Sequence, residues 1–82
     1  MKKYFKRFAE SDIGEGFAYV EVIDSWVSRQ VEIYGDQYRW ADKNNTEWLA
    51  DQPLSELGLK PEDEILKEEF ESVWMEAKKK CL

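Results

Sequence analysis

The stretch FAYVEVIDSWVSRQVEIYGDQYRW, residues 17–40, decides the fold. Three runs dense in aromatic and β-branched residues are separated by Asp24-Ser25 and Gly35-Asp36. Both pairs are turn signals, and Gly-Asp between two such runs marks a two-residue hairpin. Strands are expected over 17–23, 27–34 and 37–43. With two-residue loops, Tyr34 faces Gln37, Ile33 faces Tyr38, Glu32 faces Arg39 and Val31 faces Trp40. The earlier loop sets Val22 opposite Val27 and Val20 opposite Arg29. Side-chain alternation then gathers Ala18, Val20, Val22, Val27, Val31, Ile33, Tyr38 and Trp40 on one face. Arg29 is the single misfit there. The other face would hold Phe17, Tyr19, Glu21, Ile23, Trp26, Ser28, Gln30, Glu32, Tyr34, Gln37 and Arg39. One aliphatic face for a core and one aromatic, polar face are the expectation.

Working outward, residues 3–8 read as a first strand, with Tyr4, Phe5 and Phe8 among basic residues. Residues 10–16 contain Ser11, Asp12, Gly14 and Gly16, which is loop chemistry. The Gly-x-Gly there lacks the Lys-Ser/Thr and the helix of a phosphate loop. Residues 44–60 read as an irregular arm, with Trp48, Leu49, Leu54, Leu57 and Leu59 spaced to pack onto something. The final element is a helix over about 66–80. Its stripe is Leu66, Phe70, Val73, Trp74, Ala77 and Cys81. Acidic residues at its start and Lys78, Lys79 and Lys80 at its end suit the helix dipole. Pro61 could open the helix, but a start near Lys67 is favoured. The fold class is therefore α+β: one domain over 1–82, an antiparallel meander of three to four strands with one C-terminal amphipathic helix packed on one face. That face is expected to be the aliphatic one.

The bulk composition excludes several function classes. The chain has 82 residues, 12 basic and 18 acidic, for a net charge of −6. A duplex-binding protein presents a basic patch to phosphates. Here the basic residues sit mainly at the two ends, so no nucleic-acid partner is expected. Histidine is absent, which removes the commonest general base and metal ligand. The one cysteine, Cys81, cannot form an internal disulfide and reads as a packed or frayed thiol. The acidic clusters Glu62, Asp63, Glu64 and Glu68, Glu69, Glu71 have no metal-loop spacing and read as solvated helix faces. No catalytic residue, cofactor or metal site is expected. The basic start is followed by no apolar run of leader length, and no stretch is long enough to span a membrane. A cytoplasmic protein without a membrane partner is the default.

That leaves the aromatic face. Tyr19, Trp26, Gln30, Glu32, Tyr34 and Arg39 are the candidate partner-binding residues, because Tyr, Trp and Arg are enriched at protein interfaces. The alternative is that the arm folds back over this face through Trp48 and Leu49.

Five segments in this order resemble a known group. They are Tyr4-Phe5-Lys6-Arg7, Ala18-Tyr19-Val20-Glu21-Val22, Val27-Ser28-Arg29-Gln30-Val31-Glu32-Ile33-Tyr34, Asp51-Gln52-Pro53-Leu54 and Lys67-Glu68-Glu69-Phe70-Glu71-Ser72-Val73-Trp74. The chain resembles a widespread family of short uncharacterised bacterial proteins, some similar members of which are grouped with toxin-immunity proteins. It departs in a shorter turn at Asp24-Ser25 and in Leu66, where a helix-capping Ser or Asp is common. The resemblance implies a cytoplasmic α+β domain and supplies no catalytic residues. Arg29 and Gln30 are the matched polar positions to watch. If Arg29 is buried on the aliphatic face it needs a carboxylate partner, one candidate source being the helix. The function expected is a small non-enzymatic protein-binding module of the immunity or inhibitor kind. The alternative is a structural homodimer using the aromatic face or an edge strand.

Overall fold

The computed structural model describes residues 2–47, 49–50 and 53–80. Four strands run in chain order: β1 (Lys2–Ser11), β2 (Gly14–Ile23), β3 (Trp26–Tyr34) and β4 (Gln37–Ala41). They form one antiparallel sheet of order β1-β2-β3-β4, an open meander. Single turns of 3-10 helix follow at Leu54–Glu56 and Pro61–Asp63, and then the helix α1 (Lys67–Lys80). The strands β1 and β2 extend into the loop expected at 10–16 and leave only Asp12 and Ile13 as the turn. The fourth strand ends at Ala41, not 43. The later helix start is the one adopted, and Leu66 lies 71% exposed, outside the stripe. Ile65 packs inward in its place.

All three hairpin loops are two residues long, Asp24-Ser25 and Gly35-Asp36 as expected and Asp12-Ile13 besides. Asp24 and Ser25 both take positive φ, at 51° and 75°. That double left-handed turn matches the right-handed twist of paired strands. Gly35 takes φ 64° at the Gly35-Asp36 turn.

The register of β2 on β3 departs from expectation at one point. Val22 does face Val27, but Val20 faces Gln30 and Glu21 faces Arg29, because a bulge lies between Glu21 and Val22. Ser28 is the extra residue. Its hydroxyl donates to the Glu21 carbonyl at 3.2 Å and to Glu21 Oε1 at 2.7 Å, which holds the bulge. One inserted residue reverses the parity of everything beyond it.

The expected aliphatic face is therefore split in two. Val31 clusters with Tyr4, Tyr19, Phe70, Trp74 and Ala77, with Ile33, Tyr38 and Trp40 packed against them, under α1. Val20, Val22 and Val27 cluster with Phe5 on the opposite face, where Leu49, Ala50, Leu57 and Leu59 of the arm cover them. Helix and arm thus sandwich the sheet. The expected role of Trp48 in that covering, and those of Asp51, Gln52 and Cys81, lie outside the described residues.

Gly16 is held by close approach. A Cβ there would fall on the backbone carbonyl oxygen of Ile33 in β3. Backbone cannot yield as a flexible side chain does. Gly16→Ala is expected to cost about 2–3 kcal/mol by overpacking, read as a lowered urea midpoint. A wild-type midpoint would mean that β2 and β3 can part here freely.

Candidate functional site

Two polar constellations stand out, one on each face of the sheet. The helix-side group is built on the bulge. By setting Arg29 opposite Glu21, the bulge turns the misfit residue into half of an ion pair. Arg29 Nε and Nη2 donate to Glu21 at 2.8 and 2.6 Å. Nη1 and Nη2 donate to Glu71 of α1 at 3.0 and 2.7 Å. The helix thus supplies a carboxylate to the half-buried Arg29. The guanidinium also lies 4.9 Å from the Phe70 ring centre and 5.0 Å from that of Trp74. Paired with a carboxylate on each of two edges and lying against two neighbouring rings of α1, it joins helix to sheet.

The electrostatics follow from that geometry. Hydrogen bonds from Arg29 hold the Glu21 carboxyl down to about 2, against the opposing effect of burial, with Ser28 adding to the lowering. Arg29 likewise holds Glu71 below the usual carboxylate range. Bonds to both carboxylates raise Arg29 further above its ordinary value. Burial raises the Tyr4 hydroxyl, which approaches Glu21 without forming a hydrogen bond of good geometry.

A sign follows for stability against pH. Both carboxylates are depressed in the fold, so their contribution is present above the ordinary carboxylate range and is lost as pH falls through their lowered values, about 2 for Glu21. For Glu21 alone the loss is on the order of 3 kcal/mol. Glu21→Gln is expected to flatten the wild-type fall in urea midpoint between pH 5 and pH 2. Parallel wild-type and variant curves would show that Glu21 is not the group titrating.

The arm-side group is a cleft of about 250 Å³. Ala18 and Val20 contribute to its lining from the sheet, and Ala50, Leu57 and Leu59 from the arm. Two side chains of the sheet clamp the arm by its backbone. Gln30 Oε1 accepts from the Ala50 amide at 2.9 Å, and Arg7 donates to the Leu57 carbonyl. Gln30 Nε2 donates to Glu32 Oε2 at 3.1 Å. Arg39 Nη1 stands 3.9 Å from Glu32 Oε1, and its guanidinium lies 5.5 Å from the Tyr34 ring centre. Burial raises the Tyr34 hydroxyl, and the Glu32 charge beside it adds to the rise.

The six candidate partner-binding residues do not share one surface. Gln30, Glu32, Tyr34 and Arg39 do gather around the cleft. Tyr19 is buried in the core under α1, because the bulge puts its strand's odd positions with Val31. Trp26, 52% exposed, stands at the far end of β3, bridged to Pro53. Gln30 and Tyr34 are themselves buried, so the open aromatic face expected here is largely covered. Arg7 and Ala50 belong to the cleft and were not singled out beforehand. Leu57 and Leu59 were read as part of a packing arm, and the alternative expectation, that this arm folds over the face of Gln30, Glu32 and Tyr34, is the arrangement the structure adopts.

A third surface is apolar. Phe8, Ile13 and Phe17 are exposed, with the Phe8 and Phe17 rings 6.4 Å apart edge to face. Lys6 lies 4.6 Å from the Phe17 ring centre. Among the described residues no three His, Cys, Asp or Glu side chains converge as metal ligands. No described helix is long and apolar enough to cross a membrane. Compared with family models, curated proteins and solved structures, the chain matches none.

Proposed function

We propose that this protein is a non-enzymatic binding module of the immunity or inhibitor kind, which engages a basic surface of a protein partner through the rim of the arm-side cleft. One observation carries the reading. Glu32 is a half-buried carboxylate beside Arg39, framed by Gln30 and Tyr34 at a cleft lined by both apolar and charged side chains, in a chain of net charge −6. A half-buried carboxylate held by neighbouring side chains suits recognition of a cationic group. Complementary charge would steer the encounter and make it sensitive to salt.

Affinity capture from the native cell, at low and at moderate salt, tests this. Wild type is expected to retain a basic protein that moderate salt releases and that the Glu32→Gln variant does not hold. Retention indifferent to both salt and Glu32 would sink the reading.

A second reading, a homodimer, is favoured by the exposed Phe8 and Phe17 rings, which lie edge to face. Sedimentation over a concentration series separates the two. A dimer that Phe8→Ser dissolves supports the second reading, and a monomer at high micromolar concentration removes it.

A further inference from the structure

We infer that this protein pairs with a second copy of itself along the outer edge of β1, antiparallel, with the two-fold axis at Phe8. This rests on the second of the readings above and names the edge, the register and the charges that set it.

The sheet runs β1-β2-β3-β4, so β1 is an edge strand. Which of its backbone groups are left over follows from the hairpin. Ser11 pairs with Gly14 across a two-residue loop, so Ser11 exchanges its backbone bonds with β2. The pairing continues without a bulge. Alternation then turns the backbone groups of Arg7 and Ala9 towards β2, and those of Tyr4, Lys6, Phe8 and Glu10 outwards. The Tyr4 carbonyl agrees with this parity, because it accepts from the Ile65 amide at 2.8 Å on the outer side. There the chain crosses the edge, with Phe5 bridged to Glu64, and covers its first half. Among the described residues no strand or bridge pairs with the outer edge at Phe8 or Glu10. An edge left in that state is a template for another strand.

The side chains say which strand. Lys6, Phe8 and Glu10 stand in a row on one face, opposite Tyr19, Phe17 and Glu15 of β2. The Phe8 and Phe17 side chains are exposed. Glu10 and Glu15 are both exposed and directly opposed, and like charges so placed disfavour the hairpin. An antiparallel copy centred on Phe8 brings the missing cation. Phe8 then faces Phe8 of the second copy, and Lys6 of each copy faces Glu10 of the other. Two opposite-charge pairs flank an aromatic pair, so the edge is complementary to itself. Centring on Arg7 or Glu10 would instead set like charges face to face. Centring on Ala9 would set no opposite charges together within residues 6–11.

The test is sedimentation of the intact protein over a concentration series, at low salt and under reductant. It compares the wild type, Lys6→Glu, Glu10→Lys and the double variant. The wild type is expected to dimerise. Each single variant turns two opposite-charge pairs into two like-charge pairs, and should raise the dissociation constant at least about tenfold. The double variant restores opposite charges and should recover the dimer. An equimolar mixture of the two single variants should recover it too, because each supplies the charge the other lacks. That recovery also excludes misfolding as the cause of the single losses. The inference is overturned if the single variants dimerise as well as the wild type, or if neither the double variant nor the mixture recovers the dimer. Its failure is distinct from that of the homodimer reading. A monomeric wild type removes both. A dimer that Phe8→Ser dissolves and the charge variants leave intact keeps the homodimer and removes the pairing of β1 edges.

Discussion

Arg29→Met is expected to destabilise the fold by about 3–5 kcal/mol. A domain of 82 residues has roughly 4–12 kcal/mol in all, so the variant should stand near the edge of unfolding. The reason is not that a buried ion pair is strongly stabilising. Taking two charges out of water costs about what their attraction returns. The cost arises because Met removes the cation and leaves Glu21, whose side chain is 4% exposed, charged and buried without it. Glu71, at 35%, can turn to water and matters less. Adding Glu21→Gln to Arg29→Met should therefore recover part of the loss, although two native partners are then gone. Urea unfolding of the wild type, both single variants and the double variant gives the coupling. A single Arg29→Met loss below about 1 kcal/mol, or a double variant no better than the single, would contradict this account.

Phe70→Ala is expected to cost about 3–5 kcal/mol by the same measurement. Phe70 is fully buried, 5.3 Å from the Tyr4 ring centre and 6.2 Å from that of Trp74. It is also one of the two rings on which Arg29 lies. Its loss opens a cavity at the crossing of α1 over the sheet, where the rigid strands cannot collapse to fill it. Met75, one turn on and 70% exposed, is the control, and Met75→Ala should stay within about 0.5 kcal/mol. Equal small losses at both positions would mean that α1 is not docked as described.

The bulge shows how far the sequence could be read. Arg29 was the one residue that did not fit the expected aliphatic face. The misfit marked a register error of one position. Sliding β3 by one residue sets Arg29 opposite Glu21, an opposite-charge pair, and leaves Ser28 as the inserted residue to bond Glu21. Turn lengths cannot reveal this, because both turns are two residues long in either register. The consequence reached the candidate site. Tyr19 passed from a presumed surface to the core. Gln30, Glu32 and Tyr34 kept their common face but acquired a cover from the arm.

Local chemistry determined the elements. Two turn pairs, three β-dense runs, the aromatic run at 3–8 and a stripe at helical spacing were enough for a meander of three to four strands and a C-terminal helix, since each is set by neighbours within a few positions. The tertiary structure decided which face each cover takes. That choice depends on a hydroxyl that stabilises one extra residue, on a carboxylate from a helix 42 positions away, and on a leucine-bearing arm clamped by Gln30 and Arg7. These are contacts between distant segments, and side-chain periodicity carries no information about distant segments. Only when the chain is folded does one inserted residue choose between two faces of similar apolar content.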